Sequence, residues 1–201
     1  MEGTTGLRER KKQRTREAIV EAAFELFEER GFDGTTINDI AEAAEIAPRT
    51  FFAYFPSKDD VVFHDFEERY EMIAGWLRDR DAGTNAIDAL GDGIQGMGRE
   101  VDPTDIREKK CRSQLVREKE SLAAHGDHLK GRLADLLAEA VAQDLGDAPT
   151  DLRPRLVGAT FVAAIGVMED TAEDATENPA ETIDNLLAFL RGGLAALQER
   201  G

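Results

Sequence analysis

TTINDIAEAAEIAPRTFFAYFPSK, residues 35–58, decides how this chain is read. Thr36 heads a run in which Ile37, Ile40, Ala41 and Ala44 fall on one helical face. Asp39, three residues after Thr36, completes a pattern resembling a capping box, with aspartate in place of the usual Glu or Gln. Glu45, Ile46 and Ala47 form a tight turn. Pro48 then opens a second short helix, where its missing N–H is no loss. Two short helices joined in this way are the layout of a helix-turn-helix, whose second helix enters the DNA major groove by its N-terminal end. The motif spans about residues 35–54.

The flanks support this reading. Ile19, Ala22, Ala23, Leu26 and Phe27 form one apolar stripe over 16–30. Gly31 stands where a left-handed residue closes a helix, and Phe32 tucks back. Phe51, Phe52 and Phe55 anchor the second motif helix by packing. Pro56 stops that helix. Ser57 caps a fourth, expected to run unbroken through Val61, Val62, Phe66 and Met72 to about Arg80.

Beyond Gly83 the pattern stays helical but changes character. Residues 86–98 carry Gly91, Gly93 and Gly96, each costing about 0.5–1 kcal/mol against alanine. A bent or mobile helix is expected there. A helix from Asp102-Pro103-Thr104 to about Lys119 follows, then a strongly periodic one over 129–145. GDAPTD at 146–151 is a linker. Residues 152–168 and 182–197 are two apolar-faced helices separated by an acidic loop at 169–179. No strand alternation or internal repeat is present. The expected class is all-α, with about nine helices.

The 201 residues carry a formal net charge of −16, unevenly distributed. Residues 1–16 hold Arg8, Arg10, Lys11, Lys12, Arg14 and Arg16 against Glu2 and Glu9, a local +4. Residues 61–201 hold 16 basic and 28 acidic residues. A basic end on an acidic body still suits DNA, with low non-specific affinity and strong salt dependence. A single cysteine, Cys111, precludes an internal disulfide and fits a reducing cytoplasm. There is no signal peptide and no apolar run of membrane-spanning length, so no membrane partner is expected.

Enzyme chemistry finds little support. His125 and His128 share a helix face near Asp127, but no third ligand stands at a fixed spacing, so no metal or cofactor is expected. Lys109, Lys110 and Arg112 beside Cys111 would lower its pKa, yet no histidine pairs with it. No glycine-rich phosphate loop is present.

Residues 31–62, GFDGTTINDIAEAAEIAPRTFFAYFPSKDDVV, with the preceding AAFELFEERGF, resemble the TetR family of transcriptional regulators. The resemblance is specific over about 12–72. It implies a three-helix DNA-binding domain there and a ligand-sensing, dimerising domain over 75–201. Arg49 is the candidate for bidentate guanine contact, with Pro48 and Thr50 beside it at the groove-entering end. Thr36 offers its hydroxyl and backbone N–H to a phosphate. In the family, Tyr54 and Lys58 are phosphate contacts. Arg14 and Arg16, read as lying before the first helix, would reach the DNA backbone or minor groove. This chain departs from the family at two places. Glu45 replaces the usual turn glycine, implying either a left-handed glutamate or a different turn. Ala47 replaces the usual Ser or Thr cap.

For the body, the resemblance implies an effector pocket, assigned to Met72, Trp76, Met97, Gln114, Phe161 and Met168. The dimer interface is assigned to Leu156, Ala159, Ala163 and Val167 with Leu186, Leu187, Leu190 and Leu194. The partners expected are a palindromic double-stranded DNA operator, a second copy of the chain and an unidentified small-molecule effector. The function expected is a cytoplasmic, sequence-specific repressor released by that effector. The alternatives are a helical ligand-binding or enzymatic protein that keeps the fold without operator binding, and a ligand-independent architectural DNA binder.

Overall fold

Short polar residues, glycine and proline punctuate the N-terminal third as their chemistry requires. In the computed structural model, Gly31 adopts φ 74° directly after helix α1, Gly3–Arg30. Thr36 caps α2, Ile37–Ala43, in a complete capping box with Asp39. Pro48 opens α3, Pro48–Phe51, and Ser57 caps α4, Lys58–Val62, by accepting from the Asp60 N–H. The structure describes the backbone of residues 3–96, 103–171 and 179–199, and side chains over 6–96, 107–167 and 181–199. Met97 and the Met168 side chain lie outside these ranges.

Six further helices follow: α5 Phe66–Arg78, α6 Ala86–Gly96, α7 Pro103–Glu118, α8 Glu120–Leu145, α9 Leu152–Thr171 and α10 Pro179–Gln198. Among the described residues there are ten helices and no strand, so the all-α expectation holds with one helix more. The extra helix comes from a break at 63–65, where one continuous fourth helix was expected. At the break the Arg16 guanidinium donates to the His64 carbonyl, and the His64 ring stands 2.9 Å from the Glu108 carboxylate of α7.

The chain forms two compact units, residues 1–64 with 102–123 and residues 65–101 with 124–201. These differ from the expected division at 12–72 and 75–201, because α7 shares a core with the first helices. In unit one α1 packs on α2, α4 and α7. Ile19, Phe24, Phe27, Ile40, Phe51, Phe55 and Val62 are buried together with Cys111, Leu115 and Leu122. In unit two α5, α6, α9 and α10 enclose Leu77, Ile87, Leu90, Val157, Phe161, Leu187, Leu190 and Leu194.

Two of the three glycines of α6, Gly91 and Gly93, are places of close contact. The helix is unbroken, and its start is capped by Asn85, whose Oδ1 accepts from the Asp88 N–H at 2.9 Å. A Cβ on Gly93 would overlap the Trp76 ring, and one on Gly91 would press on Arg191 and Leu187. Both positions permit close approach by a neighbouring helix. No described helix is long and apolar enough to cross a membrane.

Candidate functional site

The turn between α2 and α3 positions the helix expected to read DNA. Glu45 adopts φ 54°, resolving the two alternatives in favour of a left-handed glutamate. Its N–H donates to Glu42 O at 3.1 Å, while the Ile46 N–H donates to Ala41 O at 2.9 Å. That pair of bonds is a Schellman ending, usually closed by glycine. A non-glycine residue in this region carries about 1–2 kcal/mol of strain. Ala47 makes no side-chain cap, so α3 is held chiefly by its packing. Phe51 and Phe55 are both buried, their ring centroids 5.9 Å apart.

This packing leaves Pro48 and Arg49 exposed at the start of α3, with Thr50 half-buried beside them. Tyr54 is half-buried and borders a cleft lined by Glu9, Arg10, Lys12, Gln13, Arg16 and Ala53. Four cationic or amide side chains from one face of α1 thus stand beside the tyrosine. The basic N-terminal segment is part of α1, which corrects the placing of Arg14 and Arg16 before the first helix. It was missed because residues 3–15 show no apolar stripe. Arg14 is exposed, whereas Arg16 holds His64 and lies 5.1 Å over the Phe55 ring.

Two of the expected phosphate contacts have their donors engaged within the chain. The Thr36 hydroxyl and N–H both donate to Asp39 Oδ2, at 2.6 and 2.8 Å. These two bonds, the hydroxyl's first, hold the Asp39 carboxyl below its usual range. The Lys58 ammonium donates to the carbonyls of Phe32 and Thr35 and sits 4.0 Å over the Phe32 ring. Burial lowers its pKa, while Asp33 and Asp59 oppose the shift. Lys58 clasps the α1–α2 turn from below. Phe52 is the reverse case. Read from sequence as packing, it is 56% exposed. No local signal marks it, since consecutive residues such as Ala22, Ala23 and Phe24 of α1 are all buried.

The pocket assignment is only partly assembled. Trp76 and Phe161 join one core, Phe161 buried and Trp76 half-buried against it, and Met72 is half-buried in the same unit. Gln114 does not join them. It belongs to the other unit, is exposed and donates to Glu118 Oε1 at 2.9 Å, because α7 buries Cys111 and Leu115 instead. Cys111 also departs from expectation: burial, then the Glu28 charge, push its thiol up to about 11 despite Arg107.

The dimer assignment divides by helix. On α9, Leu156, Ala159, Ala163 and Val167 are exposed, Leu156 at 51% and Val167 at 63%. On α10, Leu187, Leu190 and Leu194 are buried in their own core, which corrects their assignment, while Leu186 is half-buried against that core. The apolar stripe of α10 serves the monomer. Its outward face carries Phe189, 67% exposed, with Ala188, Gly192, Gly193 and Ala196. Gly158 is likewise used internally, since a Cβ there would overlap the Ala134 carbonyl of α8.

Comparison with known proteins agrees with this architecture. Residues 19–64 match the bacterial regulatory proteins of the tetR family, and residues 84–195 match the MftR C-terminal domain. The HTH-type transcriptional regulator TcmR of Streptomyces glaucescens is 35% identical over 167 residues, spanning 79% of this chain and 73% of that protein. The solved structure of NalD, the secondary repressor of the MexAB-OprM multidrug efflux pump in Pseudomonas aeruginosa, is similar in fold. Its TM-score is 0.62 at 22% identity, over 90% of this chain and 97% of that one. Thermus thermophilus FadR, a TetR-family repressor solved with lauroyl-CoA, gives a TM-score of 0.56 at 25% identity, over 89% and 94% of the two chains. From the helix-turn-helix through the C-terminal helices, the chain belongs to the TetR family of DNA-binding transcriptional regulators.

Proposed function

We propose that two copies of this regulator bind a palindromic operator in the cytoplasm and repress transcription until a small molecule releases them. The observation that carries the reading is the exposed Pro48–Arg49 start of α3, fixed by the buried Phe51 and Phe55. Arg49 takes a guanine edge, with Thr50 beside it. Tyr54, Arg14 and the cationic cleft of α1 take backbone phosphates, the contacts that set affinity and register. In this reading Thr36 and Lys58 hold the motif in shape rather than touch DNA. A two-fold operator requires a two-fold protein. The outward faces of α9 and α10, from Leu156 and Val167 to Phe189, supply an apolar surface for it. The effector binds the unit that holds Met72, Trp76 and Phe161, and favours the state that does not fit the operator.

The test is a fluorescence-anisotropy titration on DNA flanking the protein's own coding region, with a scrambled duplex alongside. The reading expects saturation at two chains per palindrome and weakening with salt. Equal affinity for scrambled DNA here and after selection from a random pool would contradict it, and would favour a protein that keeps the fold without an operator.

A further inference from the structure

We propose that Phe52 reads sequence, its ring packing on the C5-methyl of a thymine in each half-site. The inference rests on the reading of α3 as the groove-entering helix. The outward residues of this segment are Pro48, Arg49, Phe52, Ala53 and Pro56, all exposed. Of these, Arg49 alone carries a side-chain hydrogen-bond donor. The remaining surface is apolar, and Phe52 dominates it, with 56% of its area in water.

Packing does not account for this exposure. Phe51 and Phe55 already fill the core beneath the helix, and Phe52, about 100° round the helix from Phe51, keeps 56% of its area exposed. Its orientation is nevertheless held. The Phe51 and Phe52 rings meet edge to face, with centroids 5.6 Å apart and planes at 84°. Phe52 itself retains helical backbone angles, φ −66° and ψ −13°. The ring is therefore a pre-oriented apolar knob on the same face as Arg49, three residues earlier.

The major groove offers one strongly apolar base feature, the thymine C5-methyl; its other edge groups are donors and acceptors. A phenylalanine cannot satisfy those polar groups, and burying them without partners is unfavourable. Residues three apart on a helix have Cβ atoms about 5–6 Å apart. Successive base pairs rise about 3.4 Å. The thymine thus lies within about two base pairs of the guanine read by Arg49. This divides the work: Arg49 selects a G·C pair by hydrogen bonds, and Phe52 selects a neighbouring T·A pair by shape.

The experiment uses the full chain and an operator selected from random duplexes. Each thymine is replaced singly by deoxyuridine, which removes the methyl and leaves pairing intact. Wild type is expected to lose about fourfold in affinity per half-site at one thymine, the worth of burying one methyl. Phe52→Ala is expected to bind thymine and uracil forms equally, and Phe52→Leu to keep part of the preference. Melting temperature confirms that both variants fold. Two outcomes overturn the proposal while leaving operator binding intact: no thymine methyl matters to wild type, or the uracil penalty persists in Phe52→Ala. A change in self-association without a change in thymine preference also overturns it, and assigns the ring to a protein contact. Failure to select any sequence overturns the operator reading as well.

Discussion

The Trp76 indole occupies the space that a Cβ on Gly93 would need, so α5 and α6 approach at a distance that only glycine permits. An added methyl here overpacks the core, at about 1–3 kcal/mol, which exceeds the helix-propensity gain of about 0.5–1 kcal/mol. Gly93→Ala is therefore expected to lower stability by about 1–2 kcal/mol, read as an earlier urea midpoint with the slope unchanged. Gly131→Ala, where nothing lies within 4 Å of the new methyl, is expected to be stabilising. Gain in both variants would show that the Trp76 contact yields freely.

Glu45 gives the opposite prediction. Its left-handed φ of 54° is strained for any residue with a Cβ. Glycine removes about 1–2 kcal/mol of strain but adds about 0.5–1 kcal/mol of unfolded-chain entropy. Glu45→Gly should raise stability by about 0.5–1 kcal/mol in thermal unfolding, with operator affinity retained. A loss of stability would mean that the Glu45 side chain contributes more than the turn strains.

Cys111 should be inert. Burial and the Glu28 charge raise its pKa from the ordinary 9.0 to about 11, so the thiol stays protonated near neutrality. Alkylation of the native protein at pH 8 is expected to be slow, and fast after urea unfolding. The folded state also binds this proton more tightly than the unfolded state does. Its contribution to stability is thus complete below about pH 9 and is lost as pH rises towards 11. Rapid native alkylation would contradict the buried placement.

The α9 and α10 substitutions separate assembly from folding. Leu156→Glu with Phe189→Glu should give a folded monomer in sedimentation, because both side chains face outward. Leu187→Ala and Leu190→Ala should instead lose about 2–5 kcal/mol each, since they empty the core. Dissociation caused by the second pair with stability unchanged would reverse the assignment of faces.

Legibility from sequence followed the range of the cause. Gly31, Thr36, Pro48 and Ser57 act on their own neighbours, and each stands where its chemistry suggests. The break at 63–65 leaves no local signature, since neither glycine nor proline stands there. Gly91 and Gly93 look the same in sequence whether they loosen a helix or admit a neighbour. The apolar stripe of α10 was visible, but periodicity does not say whether a stripe meets its own core or a second copy. The resemblance implies a phosphate contact for Lys58, yet the α1–α2 turn supplies two carbonyls and a ring that engage its ammonium. The fold and the helix-turn-helix were therefore legible, whereas which apolar side chains of α10 and the pocket set turn inward depended on tertiary packing.

The most direct test of the central claim is the ratio of operator to scrambled-duplex affinity for wild type and Arg49→Ala, measured by anisotropy at one salt concentration. The account predicts that Arg49→Ala lowers operator affinity by about tenfold or more, the worth of a bidentate base contact, and leaves scrambled-duplex affinity nearly unchanged. An equal fall on both duplexes would make Arg49 a phosphate contact. No change on either would contradict α3 as the reading helix.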